Sequence, residues 1–465
     1  MIDDIGCWTA TELAGAIRRR EVSSRDLLDL YLDRIARLDG PVNAVVTMDA
    51  ERAATAAAAA DEATVRGDPT GPLHGLPITV KDAIETAGLR STGGAVELAE
   101  HVPEHDAPAV ARLRGAGAVV FGKTNLPRWS GDLQSYNEIF GTTNNPWDLE
   151  RVPGGSSGGA AAAVAAGFTS FEVGTDIGGS VRIPAHFCGV LGHKPSYGLV
   201  PQRGYLDSVG GGTTDPDINV FGPLARSAED LDLLLGVLAG PEPERAVAWR
   251  VELPAPRAAS LTELRIGVWF DEPTCILDTE YRAVLGRVVE ELARAGAQIV
   301  DDHPPVAFTD QLDLFGALIA AAVSPSSPPE EAEAMAGSHY VWLGLDRERA
   351  RVRARWADWF RDHDLLLCPV TPTPAFPHQQ EGDFLTRRML IDGVDRAYLE
   401  NISWTGLIGV VGLPSTVVPV GRTAAGLPVG VQVVAPYLRD RDAIRAAGLI
   451  AEAVDGAGYQ TPPGF

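Results

Sequence analysis

The chain has 465 residues, of which 45% are hydrophobic and 22% are charged, a composition typical of a globular protein and not of a disordered one. Its 39 lysines and arginines against 62 aspartates and glutamates give a formal net charge of −23. This charge argues against nucleic-acid binding, which needs a basic face, and disfavours contact with an anionic membrane.

The cysteines and the N-terminus indicate a cytoplasmic protein. Cys7, Cys188, Cys275 and Cys368 are far apart and lack metal-ligand spacing, which predicts free thiols in a reducing compartment. Residues 1–4 are acidic, no signal segment follows them, and no apolar run approaches the length of a membrane-spanning helix.

The N-terminal part, residues 1–65, is predicted to be helical. Two amphipathic helices are expected within 9–38, and Thr9 with Glu12 has the spacing of a capping box at the start of the first. An alanine-rich third helix is predicted to begin near Asp49.

Strands and helices alternate over the next part, residues 70–240. The predicted strands are 76–80, which ends at Lys81, 118–121 and 171–173. The other predicted elements are helices at 109–113, 160–166 and 226–239, a long structured loop at 141–159 and a glycine-rich turn at 174–179.

A proline-rich connector, 241–262, leads to the C-terminal part, 263–465, where the alternation continues. Its predicted elements are strands at 264–269, 298–300, 365–370, 415–420 and 429–434, and helices at 279–295, 307–361 with a break at 324–329, and 440–455. The alternation predicts an α/β fold with a mixed, largely parallel twisted central sheet flanked by helices on both faces.

One short motif is misleading. Residues 117–124 match the spacing of a P-loop, but a phosphate cradle needs a flexible loop of converging N–H groups that follows a strand. Residues 118–121 between the two glycines have the character of a strand. We therefore predict no nucleotide site here and no P-loop ATPase activity.

The most informative stretch is 154–184, where two glycine-rich turns each carry a serine after two glycines. Glycine lets backbone N–H groups converge, as an oxyanion site requires, and both turns lead toward predicted helices. Two flexible turns without a chemical role are the alternative interpretation.

A serine nucleophile needs a base. The nine histidines show no Ser-His-Asp order, and His186 lies between Ala185 and Phe187, which favours packing. Lys81 is the better candidate, because partial burial at the end of an apolar strand lowers the pKa of a lysine toward neutrality. A solvated surface lysine is the alternative.

These segments resemble the amidase signature family over nearly the whole chain. The resemblance is carried by the two glycine-serine turns together with Val80-Lys81-Asp82 upstream, a combination far more specific than any single short motif. It is densest at 75–82, 122–125, 145–159 and 174–197, and it resumes at 412–414 and 426–432. The resemblance implies one amidase signature domain with its catalytic core at 70–240.

The resemblance also implies roles for individual residues. Ser180, Ser156 and Lys81 would form a Ser-cisSer-Lys triad, in which Ser180 is the nucleophile, Ser156 follows a cis peptide bond and relays the proton, and Lys81 is the neutral base. The other implied site residues belong to the same two turns: backbone N–H groups of Ile177, Gly178, Gly179 and Ser180 as an oxyanion hole, and Ser157 as a supporting hydrogen-bond donor. Asp176 and Arg182 are expected to form a buried ion pair, with an exposed pair as the alternative.

Departures from the family pattern bear on the substrate. Where many relatives carry a glutamate, this chain has Arg128-Trp129-Ser130, and the resemblance places Ser130, with Trp129 beside it, against the acyl group. The region 307–361 is short, which predicts an open or differently lined pocket. Its tryptophans either line that pocket or pack in the core, the commoner role; they are Trp342, Trp356 and Trp359.

The predicted function is hydrolysis of a small or aryl amide through an acyl-enzyme, with no metal and no organic cofactor. The predicted partners are the amide substrate and water, with no nucleic acid and no membrane, and a homodimer is left open. The alternatives are carbamate or ester hydrolysis by the same triad, a glutamine-dependent amidotransferase component, and an inactive binding protein. The intact triad counts against the last, and the lack of a glutamine-pocket signature counts against the amidotransferase.

Overall fold

The computed structural model describes residues 3–465, so Met1 and Ile2 of the acidic N-terminal segment lie outside it. Its α-helices are α1 (Ala10–Arg19), α2 (Ser24–Leu38), α3 (Ala50–Arg66), α4 (Pro108–Gly115), α5 (Gly158–Ala165), α6 (Arg182–Cys188), α7 (Ala228–Leu238), α8 (Thr279–Arg294), α9 (Phe308–Val323), α10 (Pro329–Ala336), α11 (His339–Trp359), α12 (Ser403–Val410) and α13 (Asp440–Ala453). Short 3₁₀ helices span Asp3–Cys7, Val96–Leu98, Arg128–Ser130, Arg245–Val247, Leu261–Glu263, Ser324–Ser326 and Tyr398–Ile402.

The strands are distributed over the whole described chain. They are β1 (Val45–Met48), β2 (Pro77–Lys81), β3 (Val119–Thr124), β4 (Tyr136–Asn137), β5 (Gly141–Thr142), β6 (Glu172–Asp176), β7 (Leu191–Lys194), β8 (Val220–Ala225), β9 (Arg265–Val268), β10 (Gln298–Val300), β11 (Leu365–Pro369), β12 (Arg388–Ile391), β13 (Val394–Ala397), β14 (Ser415–Arg422) and β15 (Pro428–Val434).

The core is an eight-stranded sheet with the strand order β10-β9-β11-β15-β14-β7-β8-β6. The pairs β10–β9 and β9–β11 are parallel, and the other five pairs are antiparallel. A short turn joins β14 to β15, and strands joined in this way can only pair antiparallel. The predicted mixed α/β sheet is confirmed, with less parallel pairing than the sequence pattern indicates.

Helices cover both faces of this sheet, as two consecutive residues of β7 demonstrate. A side chain on Gly192 would meet Ala185 of α6 at 2.8 Å, whereas His193 Nε2 lies 3.2 Å from a carboxylate oxygen of Asp440 in α13. Because consecutive strand residues point to opposite faces, α6 and α13 lie on opposite sides of the sheet.

A second sheet, with the order β1-β3-β2, brings Lys81 to the end of β2. β2 and β3 are parallel, with Lys81 opposite Thr124. β3 occupies most of the stretch with P-loop spacing, and its Lys123 is buried, donating to the Ile84 carbonyl and to hydroxyl groups. The strand predicted at 118–121, on which the rejection of a phosphate cradle rested, is therefore confirmed as part of β3.

The helix α5 packs between the two sheets, and all of its residues are buried. Its sequence, Gly-Gly-Ala-Ala-Ala-Ala-Val-Ala, contains only small side chains, and a Cβ on Gly159 would meet the Asn125 backbone nitrogen at 2.4 Å. Small residues are thus required for this close approach. The approach brings Ser156 and Ser157, which precede α5, against β6.

Several other predictions can be compared with the described residues. The capping box at Thr9 and Glu12 is confirmed at the start of α1, and all four cysteines are free, three of them buried. No helix within residues 3–465 combines the length and apolar character needed to cross a bilayer. The division of the chain at 65, 70, 240 and 263 stays a prediction.

Candidate active site

Lys81 lies at the centre of the candidate site and is completely buried. Its Nζ donates hydrogen bonds to Ser156 Oγ and to Thr175 Oγ1, both at 2.7 Å. Burial lowers the pKa of Lys81 well below its ordinary value, and the negative charges of Asp176 and Glu172 oppose this shift only in part. A lowered pKa favours the neutral amine, the form of a lysine that has a lone pair to accept a proton.

Ser156 and Ser157 begin the chain's approach to α5. The peptide bond between Gly155 and Ser156 is cis, as predicted. The Ser157 N–H donates to the Ser180 carbonyl at 3.2 Å, and Ser157 Oγ donates to the Thr175 carbonyl at 3.2 Å. Ser157 therefore joins the two glycine-serine turns, and it does not line the cavity described below.

Thr175 contacts Lys81 and was missed by the sequence analysis, which assigned 174–179 to a turn. The structure extends β6 to Asp176, so the turn begins only at Ile177. The alternation along a strand places Thr175 and Asp176 on opposite faces. Thr175 is therefore on the face of β6 that contacts Lys81 of the second sheet, and the signal for it in the sequence is the extension of the strand beyond residue 173.

The turn between β6 and α6 carries Ser180 and is braced by a buried ion pair. Arg182 Nε and Nη2 donate to the two carboxylate oxygens of Asp176 at 3.0 and 2.8 Å, and both side chains are fully buried. Burial raises the pKa of Asp176, but the charge and hydrogen bonds of Arg182 outweigh it and hold the pKa below the usual range. The predicted buried pair is confirmed.

The predicted oxyanion donors differ in their availability. The Gly179 N–H donates to Asp176 Oδ1 at 2.9 Å, so it already has an acceptor in this structure, and its role as an oxyanion donor stays a prediction. The N–H groups of Ile177, Gly178 and Ser180 donate to no residue of the described chain. These three are the candidate oxyanion donors that have no other acceptor.

A cavity of about 230 Å³ opens onto Ser180. The predicted contact residues Trp129, Ser130, Ile177 and Gly178 line it, whereas Gly179, Ser157 and the three tryptophans of 307–361 do not. Its remaining lining is mainly apolar and includes residues from α9 to α10 that the sequence analysis did not identify. Those newly found residues are Ile319, Ala322, Val323, Ser326, Ser327 and Met335.

The charged side chains that line the cavity are all acidic. Asp132 and Asp207 belong to the lining, and no lysine, arginine or histidine of the described chain does. Asp132 is neutralised from outside the cavity by Arg387, whose Nη1 donates to Asp132 Oδ2 at 2.7 Å. A ligand here therefore meets apolar walls, hydroxyl groups and one carboxylate without a cationic partner.

Residues 3–465 contain no group of three or more metal-ligand side chains that gather in space. His186, the histidine nearest to Ser180 in sequence, is fully buried, and burial lowers its pKa to about 4. Its Nδ1 accepts from the Gly430 N–H at 2.7 Å. The prediction that His186 has a packing role is confirmed.

Comparisons with known proteins found a matching family and similar chains. A family model described as Amidase matches residues 26–328 and 327–443. The A subunit of glutamyl-tRNA(Gln) amidotransferase from Moorella thermoacetica is 33% identical over 482 residues, which cover 94% of this chain and 95% of that protein.

Two solved structures are similar over nearly their whole length. The inhibitor-bound form of a vestigial protein complex that reveals the evolutionary origins of an s-triazine catabolic enzyme has a TM-score of 0.84 at 27% identity, covering 97% of this chain and 100% of that chain. A bacterial aryl acylamidase of the amidase signature enzymes has a TM-score of 0.82 at 26% identity and covers 96% of both chains.

Proposed function

The chain belongs to the amidase family, whose members act on amide C–N bonds, and we propose that it hydrolyses a small or aryl amide through an acyl-enzyme on Ser180. One observation carries this proposal. Lys81, buried and with a lowered pKa, is hydrogen-bonded to Ser156 Oγ at 2.7 Å, and the next residue, Ser157, donates its N–H to the Ser180 carbonyl.

In the acylation step, Ser180 Oγ bonds to the amide carbonyl carbon. Its proton passes to Ser156, and the hydroxyl proton of Ser156 passes to the lone pair of Lys81. The carbonyl electrons move to oxygen, where the N–H groups of Ile177, Gly178 and Ser180 stabilise the charge. Removal of one such donor typically costs about 3–4 kcal/mol of transition-state stabilisation.

The tetrahedral intermediate then collapses and the C–N bond breaks. The proton on Lys81 returns through Ser156 to the leaving nitrogen, which departs as a neutral amine. A water molecule attacks the acyl-enzyme along the same path and releases the carboxylic acid. The resting state, a neutral Lys81 and two protonated hydroxyls, is restored.

Most of the cavity wall favours apolar parts of a substrate. Its walls are mainly apolar, and Ser326 and Ser327 already donate to the Val323 carbonyl and to Met335 Sδ. Buried apolar area then supplies the binding energy, at roughly 25 cal/mol per Å². A carboxylate-bearing substrate would find no cationic side chain in the described lining.

A glutamine-dependent amidotransferase component is the second candidate. The similarity to the amidotransferase chain of Moorella thermoacetica, 33% identity over 94% of this chain, favours it over a free amidase. It would require partner proteins and a cation for the α-carboxylate of glutamine, and the described lining supplies no such cation. The cytoplasmic location and the homodimer stay predictions.

A substrate panel separates the two candidates. We expect the purified chain to hydrolyse neutral aliphatic and aryl p-nitroanilides faster than glutamine, and Ser180→Ala to abolish the reaction. A fluorophosphonate should label Ser180, and Ser157→Ala, as a matched control, should still be labelled. A chain that hydrolyses only glutamine would support the amidotransferase, and full activity in Ser180→Ala would reject the mechanism.

A further inference from the structure

Among the polar side chains of the cavity that have no part in the mechanism above are Ser130, Tyr205 and Asp207, which together we call the polar corner. All three line the cavity with Ser180. Unlike the apolar walls, these three side chains offer hydrogen-bonding and charged groups to a ligand.

Ser130 has a hydroxyl that is shielded from solvent, and the side chain of Tyr205 lies within hydrogen-bonding reach of it. Its backbone is left-handed, with φ 56°, and so is that of Trp129, with φ 51°. Such a conformation is strained and persists only where its surroundings hold it. The Trp129 N–H donates to the Gly93 carbonyl at 2.8 Å, and the Ser130 N–H donates to the Pro127 carbonyl at 2.9 Å.

Tyr205 brings a second hydroxyl to the polar corner. A backbone bridge to Ile84 fixes its position, and its ring packs edge-on against Phe221 at 5.9 Å. Burial raises the pKa of Tyr205 to about 12, with Ser130 and Asp207 both close enough to influence it. The phenol is therefore protonated at neutral pH, and its oxygen keeps lone pairs that accept hydrogen bonds.

Asp207 supplies the charge. Its Oδ1 accepts from the neighbouring Ser208 hydroxyl at 3.1 Å, and no lysine, arginine or histidine of the described chain forms an ion pair with it. This distinguishes Asp207 from Asp132, which is paired with Arg387. An apolar ligand that covered Asp207 would desolvate an uncompensated carboxylate, whereas a cationic ligand would pair with it.

We propose that the polar corner binds an ammonium group of the substrate, so that the preferred substrate is an amide that carries a primary amine. The inference rests on the proposed function and names the class of substrate for the same site. An ammonium has three N–H donors, and the corner offers a carboxylate oxygen and two hydroxyl oxygens. The net charge of −23 also favours the approach of a cation.

The test uses matched substrates. One set consists of p-nitroanilides of ω-amino acids of increasing chain length, each paired with the alkyl acyl anilide of the same length. A second set carries the amine on the leaving group, as mono-acylated diamines paired with mono-acylated alkylamines. The quantity measured is the ratio of kcat/KM for the amine to kcat/KM for its neutral partner.

We expect this ratio to exceed one in at least one set, and to fall about tenfold in Asp207→Asn, mainly through KM, because a hydrogen bond to a charged group is lost. Asp383→Asn is the charge-matched control, since Asp383 is exposed and does not line the cavity; its ratio should match that of the wild type. Fluorophosphonate labelling of Ser180 shows that each variant is folded.

The two possible failures are distinct. If neutral amides are hydrolysed but the ratio is one or lower in both sets, or if Asp207→Asn keeps the wild-type ratio, the ammonium site is wrong and the amidase mechanism stands. If no amide is hydrolysed by the wild type, the proposed function itself fails.

Discussion

Arg182 and Asp176 stand on either side of Ser180 in sequence and form a two-point ion pair from which solvent is excluded. The same carboxylate accepts the N–H groups of Gly179 and Val181 at 2.9 and 3.1 Å. Arg182 also donates to the Thr405 carbonyl and to Gln432 Oε1, both at 2.9 Å. The turn that carries Ser180 is thereby tied to the sheet and to α12.

Removal of this arginine should therefore destabilise the protein strongly. We expect Arg182→Ala to lower the free energy of unfolding by about 3–5 kcal/mol, because Asp176 would remain buried without its partner. Urea denaturation measures the change. Arg128, paired with Glu97 at 2.6 Å on the surface, provides the control: Arg128→Ala should cost at most about 1 kcal/mol. Equal losses in the two variants would contradict a special role for the buried pair.

The lowered pKa of Lys81 should make the stability of the wild type depend on pH, and a methionine at this position should remove that dependence. Below the ordinary lysine pKa of about 10.4, the unfolded chain binds a proton that the folded chain does not, so wild-type stability rises with pH. The free energy of unfolding of the wild type relative to Lys81→Met should therefore increase by up to about 1.4 kcal/mol per pH unit between neutrality and pH ~10. Denaturation at a series of pH values tests this, and a flat difference would mean that Lys81 is protonated in the folded protein.

The same variant should lose activity. We expect Lys81→Met to lower kcat/KM for a neutral anilide by about 10²–10⁴-fold, the range typical of general acid–base catalysis, while its far-UV circular dichroism stays that of the wild type. A variant that kept the wild-type rate would remove Lys81 from the mechanism.

Glu172 is a second buried titratable group near the site. Burial raises its pKa to about 7, with hydrogen bonds from Thr124 and others opposing the shift, against an ordinary value of about 4.3. Between these values the folded state binds more protons than the unfolded state, so wild-type stability falls as pH rises. Relative to the wild type, Glu172→Gln should gain stability across that window, by about 4 kcal/mol at most. Thermal unfolding of both proteins at pH 5 and pH 8 measures the gain. If the difference in stability between variant and wild type were the same at both pH values, the pKa of Glu172 would not be raised.

The sequence predicted the site better than it predicted the sheet. Lys81 at the end of a strand, the cis bond before Ser156 and the Asp176–Arg182 pair were all accessible from short motifs and the family resemblance. Less accessible were the strand pairings, because the periodicity of an apolar run says nothing about the direction of its neighbour. The cavity walls of α9 and α10 were missed for a related reason: Ile319 and Met335 reach the cavity only through the packing of helices that are remote from Ser180 in sequence.

The two glycines before Ser180 differ sharply in their surroundings. Gly179 has φ +116°, and a Cβ there would meet Thr405 Oγ1 at 2.6 Å and Thr405 Cβ at 2.8 Å. A Cβ on Gly178 would meet its nearest neighbour, Ile319 Cδ1, at 3.6 Å, which is ordinary van der Waals contact. A side chain is therefore strained at one position and accommodated at the other.

We expect Gly179→Ala to destabilise the protein by more than about 1 kcal/mol, since both the backbone conformation and the contact with α12 oppose the methyl group. It should also lower kcat more than it raises KM, because the displaced turn carries the N–H groups that face the oxyanion. The free energy of unfolding of Gly178→Ala should lie within about 1 kcal/mol of that of the wild type, so this variant serves as the stability control. Denaturation and steady-state kinetics on both variants decide the matter: equal stability of the two would mean that the turn tolerates a side chain at 179 and that Thr405 does not confine it.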